Sequence, residues 1–253
     1  MGKKMNVAVV GATGAVGVEV LKTLDKRNFP LKGLRLLASA RSENRRLLFR
    51  DEELPVEVLS ADSFQGIDVA LFCAGAARSR EFAAAAVAAG AVVVDNSSAF
   101  RMDPKVPLVV PEVNGEDVRK HQGIIANPNC TTTIMLVAVK PLYDISPIRR
   151  IVVSTYQSAS GAGAKGMEEL WTQTADVLAG KPAKPVTFQH PYAFNLFSHN
   201  TTIGENGYNE EEMKMVNETR KIMHDDTIQV CPTCVRVPVL RSHAESIVVE
   251  QAR

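Results

Sequence analysis

Gly11-Ala12-Thr13-Gly14-Ala15-Val16-Gly17 follows an apolar run from Asn6 to Val10. It precedes a segment that sets Val16, Val20, Leu21 and Leu24 at helical spacing. Strand, glycine turn and helix in that order are the strongest constraint on the fold. The glycines permit a tight turn and close backbone approach to a pyrophosphate. The helix N-terminus adds N–H donors and the positive end of a dipole. Position near the chain start and the strand-turn-helix context favour this cradle over a plain βα turn.

The pattern repeats downstream. Leu34 to Ala38, Val56 to Leu59, Val69 to Cys73 and Ala91 to Asp95 read as strands, and Ser79 to Ala89 as a helix. Strands alternating with helices predict a parallel sheet built from βαβ units. Past Asn127 the character changes. Thr131 to Tyr143 reads as a helix, Arg150 to Tyr156 as a strand, and Gly163 to Leu178 as a helix whose Trp171 belongs to a core or an interface. Lys181 to Phe197, with its prolines, reads as irregular. Asn209 to His224 reads as a helix with an Asn209–Glu212 capping box. Val235 to Val239 and Ser246 to Glu250 read as strands. The predicted class is α/β, a Rossmann-type parallel-sheet domain over 1–128, followed by an α+β substrate and dimerisation domain over 129–253.

Composition narrows the partners. At 45% hydrophobic and 23% charged, the 253-residue chain is globular in type, and a net charge of +1 gives no support for nucleic acid or an anionic membrane. The longest apolar stretch, Phe82 to Val94, is too short to span a bilayer. Met1-Gly2-Lys3-Lys4 leads into a strand without a signal-peptide h-region, and Asn6 breaks the myristoylation pattern that Gly2 begins. Four cysteines do not make a disulfide framework, so a reducing, cytoplasmic setting is expected.

The end of the second strand reads Ser39-Ala40-Arg41-Ser42, where an NAD site usually places an acidic residue. Two hydroxyls and a guanidinium suit a 2′-phosphate, which favours NADP. Arg45, Arg46 and Arg50 read as a solvated basic loop. A short-chain reductase would need a Tyr with Lys four residues on, but the four tyrosines are followed there by Pro147, Ser160, Leu196 and Glu212.

Cys130, in Asn127-Pro128-Asn129-Cys130-Thr131-Thr132-Thr133, falls at a predicted helix start, a position that favours thiolate. Beside a nicotinamide, a thiolate can attack an aldehyde and leave a thioester. A buried structural cysteine explains the same residue equally well. Cys231 and Cys234 form a lone C-x-x-C without partner ligands for zinc, which reads as structural, and Cys73 reads as core. His121, His190, His199 and His224 read as surface or structural. His243 closes a segment carrying Arg236 and Arg241, suited to bind a carboxylate and move a proton, or else to a basic strand edge.

Taken together, the glycine turn, Ala-Ser-Ala-Arg-Ser, Asp95 through Arg101, Asn127 through Thr132, Gln157 through Gly163, Glu211 through Lys214 and Arg236 through His243 resemble the aspartate-β-semialdehyde dehydrogenase family over essentially the whole chain. The resemblance implies Cys130 as nucleophile, Gln157 orienting substrate or thioester, and His243 as acid/base. It implies Arg236 on the substrate α-carboxylate and Glu211 on its amino group. Arg101 and Lys214 would hold phosphate, with Asn129 nearby. Gly11, Ala12, Thr13, Gly14, Ala15, Val16, Ser39, Arg41 and Ser42 would bind the dinucleotide, with Ser160 and Gly161 at its nicotinamide end. The implied reaction converts L-aspartate 4-semialdehyde, phosphate and NADP to 4-aspartyl phosphate and NADPH, on the way to lysine, methionine and threonine, in a homodimer or homotetramer without a metal. The competing expectations are an N-acetyl-glutamyl-phosphate reductase-like enzyme, disfavoured by Gln157 and the Arg236 to His243 segment, and a non-catalytic NADP-binding relative. Family members usually continue beyond the His243 segment, so the second domain is expected to be incomplete at its C-terminal end.

Overall fold

The computed structural model describes residues 3–252. The reading of Gly2 lies outside them. The chain divides into two compact units: residues 3–109 with Gly115–Pro128, and Val110–Asn114 with residues 129–252. The second unit thus takes a short segment, 110–114, from within the first 128 residues.

The first unit contains β1 (Met5–Val10), α1 (Ala15–Lys26), β2 (Leu31–Ala38), β3 (Arg46–Phe49), β4 (Glu52–Val58), β5 (Val69–Phe72), α2 (Ala76–Ala88), β6 (Val92–Asp95) and β7 (Ile124–Ala126). They form one sheet in the order β3-β4-β2-β1-β5-β6-β7, parallel throughout except for the β3–β4 hairpin. The strand order reverses at β1. β2 lies on one side and β5 on the other, so the turn after β1 opens at a switch point of the kind that binds ligands. Val7 and Val9 pack with Leu21, Leu24 and Leu36 on one face of the sheet. Ala8 and Val10 pack with Phe64, Phe72, Ala83 and Ala86 on the other. Burial on both faces explains why β1 is a continuous apolar run.

One expectation fails here. The basic loop after Arg41 is in part a strand, β3, turned into β4 by Arg50 and Asp51 at φ of +49° and +66°. Neither turn residue is glycine, so the hairpin carried no turn signal.

The second unit contains α3 (Pro111–Asn114), α4 (Cys130–Ile145), β8 (Ile148–Gln157), α5 (Gly163–Leu178), β9 (Phe197–Ser198), α6 (Glu210–Met223), β10 (Gln229–Arg236) and β11 (Ala244–Gln251). Its sheet runs β11-β8-β10-β9, with β8 and β10 parallel and both outer pairs antiparallel. Helices α4 and α6 cover one face. Ile151, Val153, Thr155 and Gln157 of β8 are buried, while Val152 and Tyr156 on the opposite face are exposed, as is Val248 of β11.

Two further expectations shift. The strand placed at Val235 to Val239 instead spans Gln229–Arg236. Pro232 is tolerated within it because β9 pairs only Val235 and Arg236, leaving an open edge beside the proline. Trp171 is 68% exposed on α5, which removes the core from its reading and leaves the interface. Cys231 and Cys234 sit three apart on β10, one exposed and one buried, and both are free thiols.

Candidate active site

In the first unit the glycine turn is shaped by close approach. Gly11 adopts φ +86°, and a Cβ there would lie 2.9 Å from the Cys73 carbonyl. A Cβ on Gly17 would lie 2.2 Å from the Gly11 oxygen. Ala12 is buried beneath the turn, and Gly14 donates back to the Gly11 carbonyl at 2.9 Å. Helix α1 opens at Ala15 and Val16 with Gly14 as its N-cap and no side chain capping it. Its first N–H groups are left for an outside acceptor, which is what a phosphate requires.

Gly11, Thr13, Gly14, Ser39, Arg41 and Cys73 are among the residues lining a cavity of about 620 Å³. Thr13 Oγ1 and Ser42 Oγ lie 3.1 Å apart, tying the glycine turn to the loop after β2. Arg41 is exposed on that loop. A bare helix terminus, glycines that a Cβ would block and a nearby guanidinium all fit a phosphorylated dinucleotide. Cys73, expected in the core, is half-buried at this cavity. Burial, then the Asp95 charge, push its thiol up to about 11.

Asp95 is fully buried and accepts from Ser79 Oγ at 2.6 Å and Ser97 Oγ at 2.8 Å. It anchors the loop that ends in Arg101. The buried Arg101 guanidinium donates to the Asn127 and Asn96 carbonyls at 3.0 and 3.2 Å.

In the second unit the Asn129 side chain caps α4, accepting from the Thr131 amide at 3.0 Å. Cys130 is therefore the first residue of the helix, with an exposed side chain and its thiol 3.9 Å from Asn129 Oδ1. Asn129 Nδ2 donates to Glu211 Oε1 at 2.9 Å, and Gln157 Nε2 reaches the same oxygen at 3.5 Å. Lys214 Nζ lies 3.0 Å from Glu211 Oε2. Burial alone would raise the Glu211 carboxyl. The charge that His199 gains only in acid, the Lys214 charge, and hydrogen bonds from Lys214 and Asn129 override it and bring the carboxyl down to about 2.

Arg236 ends β10 beside Gln157, its register partner on β8. The residue is 4% exposed. Nη1 donates to the Ser158 carbonyl at 3.1 Å and Nη2 to His199 Nε2 at 2.8 Å. Among the described residues Nε has no partner. Burial pulls the Arg236 guanidinium below its ordinary value, with the nearby Glu211 carboxylate among the groups opposing that. A buried cation with a bare N–H, held by neutral groups, is built to receive an anion.

His243 Nδ1 accepts from the Ser158 amide at 2.9 Å. The neutral ring then carries its proton on Nε2. Burial first, then the Arg236 charge, hold the His243 imidazole below its ordinary range. Ser160 lies beside Ser158, hydroxyl to hydroxyl at 2.9 Å. A Cβ on Gly161 would sit 3.0 Å from Arg236 Nη1 and 3.2 Å from the His243 ring, so only a glycine leaves both side chains in place.

The structure thus gathers Asn129, Cys130, Gln157, Ser160, Gly161, Glu211, Lys214, Arg236 and His243 within the second unit. The glycine turn, Ser39, Arg41, Ser42 and Arg101 lie in the first. His199, read as surface or structural, is 8% exposed and bonded to Arg236. Its polar neighbours Ser198 and Asn200 gave no sign of this. The burial arises from the pairing of β9 with β10.

A dinucleotide cradle in one unit and a helix-start cysteine near a buried arginine in the other define a cysteine-bearing dehydrogenase. The NAD binding domain of semialdehyde dehydrogenases matches residues 6–121, and the dimerisation domain of semialdehyde dehydrogenases matches residues 139–253. Aspartate-semialdehyde dehydrogenase of Synechocystis sp. is 55% identical over 252 residues, covering 100% of this chain and 75% of that protein. The Bacillus subtilis aspartate-semialdehyde dehydrogenase is 47% identical, covering 99% and 74%. The crystal structure of aspartate semialdehyde dehydrogenase II of Vibrio cholerae complexed with ASA superposes with a TM-score of 0.97 at 48% identity, covering 100% of this chain and 76% of that one. The chain belongs to the aspartate-semialdehyde dehydrogenase family of oxidoreductases.

Proposed function

We propose that the chain interconverts L-aspartate 4-semialdehyde, phosphate and NADP with 4-aspartyl phosphate and NADPH through a thioester on Cys130. The observation that carries this reading is the pairing of buried, oppositely charged groups, Arg236 and Glu211, in the cluster that holds Cys130. A zwitterionic amino acid needs a cation for its carboxylate and an anion for its ammonium, and few substrates ask for both.

Arg236 binds the α-carboxylate and Glu211 the amino group. Cys130 attacks the aldehyde carbon, forming a thiohemiacetal, and Gln157 orients the adduct. His243, protonated at Nε2, hydrogen-bonds the oxygen that becomes negative during the attack. Acid/base exchange at that atom requires the ring to release the Ser158 amide first. The dinucleotide, when bound, supplies the hydride acceptor. Gly11 through Val16 would cradle its pyrophosphate, Arg41 with Ser39 and Ser42 its 2′-phosphate, and Ser160 and Gly161 its nicotinamide end. Phosphate, held by Lys214 with Asn129 nearby, then cleaves the thioester and frees Cys130.

NADP is preferred because Arg41 stands where an acidic residue would repel a 2′-phosphate. Among the described residues no helix is long and apolar enough to cross a membrane. The four free thiols suit a reducing, cytoplasmic setting, and the family relationship supports a role in lysine, methionine and threonine synthesis. The exposed Val152, Tyr156 and Val248 on one sheet face support a homodimer or homotetramer.

The test is NADPH formation by the purified chain from the semialdehyde, phosphate and NADP, beside Cys130→Ser. Phosphate-dependent turnover that falls by at least about a thousandfold in the variant is expected. A folded chain without turnover, or with turnover indifferent to Cys130, overturns the reading.

A further inference from the structure

His199 is a buried histidine that the proposed reaction leaves without a role. It follows β9, and its amide donates to the Cys234 carbonyl of β10 at 2.8 Å. Its Nε2 lies 2.8 Å from Arg236 Nη2. A guanidinium has only donors, so Nε2 must accept and the ring must be neutral. The ring proton is then on Nδ1, 3.3 Å from Thr201 Oγ1. The same hydroxyl accepts the Glu211 amide at 3.2 Å. One threonine thus ties the imidazole to the start of α6, which carries Glu211.

Arg236 is clamped on the other side as well. Nη1 donates to the Ser158 carbonyl, Gly161 backs it, and the Phe188 ring lies 5.7 Å from the guanidinium carbon. Both terminal nitrogens are oriented by neutral acceptors, while Nε stays buried and bare.

We propose that His199 is a positioning residue, a neutral acceptor that sets the plane of the Arg236 guanidinium so that its remaining N–H groups meet the α-carboxylate of the substrate. The inference rests on Arg236 being the carboxylate-binding group. Neutrality is the point of using histidine. An aspartate or glutamate in its place would orient Arg236 equally well, but would cancel the charge the substrate needs and compete with its carboxylate. Fixing the fork beforehand also removes the side-chain entropy that binding would otherwise cost.

The test compares two unreactive ligands by calorimetry: L-homoserine, which carries the α-carboxylate, and 3-aminopropan-1-ol, which lacks it. The parent chain is expected to prefer homoserine. In His199→Leu that preference falls about tenfold, the worth of one charge-assisted hydrogen bond. His199→Gln recovers most of it, because the amide oxygen can accept from Nη2. His199→Asp keeps an acceptor but cancels the charge, so the preference falls again, and this arm decides the matter if the leucine variant does not fold. A purely structural role weakens both ligands alike. An unchanged preference in the leucine or aspartate variant, or a glutamine variant no better than leucine, overturns the role of His199. A parent chain with no preference for homoserine overturns Arg236 as the carboxylate site instead. Turnover of the semialdehyde is measured separately and judges the overall reaction.

Discussion

A neutral buried histidine makes a protein sensitive to acid, and His199 allows the size of the effect to be worked out. Burial, and next the Arg236 charge, push its imidazole down to about 4, with Lys214 and His243 adding in the same direction and Glu211 opposing. In the unfolded chain it titrates at 6.5. Between those values the unfolded state binds the extra proton and the folded state does not. The stabilisation is therefore present above 6.5 and is lost as pH falls toward 4. At pH 5 the fall below 6.5 is about 1.5 decades at about 1.4 kcal/mol each, or about 2 kcal/mol. His199→Gln retains an acceptor for Arg236 and does not titrate. Urea unfolding followed by circular dichroism at pH 7 and pH 5 should show the parent chain losing about 2 kcal/mol more than the variant. That is a difference near 1 M in midpoint for a slope of about 2 kcal/mol per molar. Because His243 and the carboxylates remain in both proteins, their titration cancels in the comparison. Parallel losses in the two proteins would refute the claim that His199 is held neutral.

Three other perturbations test separate parts of the structure. Gly17→Ala puts a Cβ within 2.2 Å of the Gly11 oxygen. It should cost about 2–3 kcal/mol of stability by thermal or urea unfolding and abolish NADPH binding measured by cofactor fluorescence. Arg41→Ala should weaken NADPH binding about tenfold in a fluorescence titration while leaving NADH unaffected, since only the former carries a 2′-phosphate. Asn129→Ala removes the cap of α4 and leaves Glu211 Oε1 with only the long contact from Gln157. A loss of about 1–3 kcal/mol in urea unfolding is expected.

The elements legible in advance were those with a strong periodic signal. β1, α1, β2 and α6 lie where apolar spacing and the Asn209–Glu212 capping box put them. The hairpin of β3 and β4 was not legible, since Arg50 and Asp51 occupy positive φ without the glycine that would announce a turn. β10 was misplaced because the three valines of Val235 to Val239 look strand-like, although that segment holds Pro238 just as the true strand holds Pro232. Only the absence of a neighbour beside that proline makes the earlier segment possible. Glu211 and Lys214 illustrate a different limit. Three apart on a helix, they are an ordinary surface pair by spacing, and what sets Glu211 apart is burial against Asn129 and Gln157.

From its amino acids alone the chain determined a dinucleotide-binding α/β unit, a cysteine at a helix start and the membership of both in one family. Each of these rests on local order: glycines where the backbone must come close, an Asn-Cys step where a helix begins, apolar residues at the period of their element. Tertiary structure decided what joins residues far apart in the chain. It brought Asn129, Gln157, Glu211 and Arg236 together through the parallel pairing of β8 with β10 and the packing of α6 on β10. It also turned His199 from a polar loop residue into the neutral partner of a buried arginine. Burial and the direction of a hydrogen bond depend on what the rest of the fold excludes from water, and no local pattern carries that information.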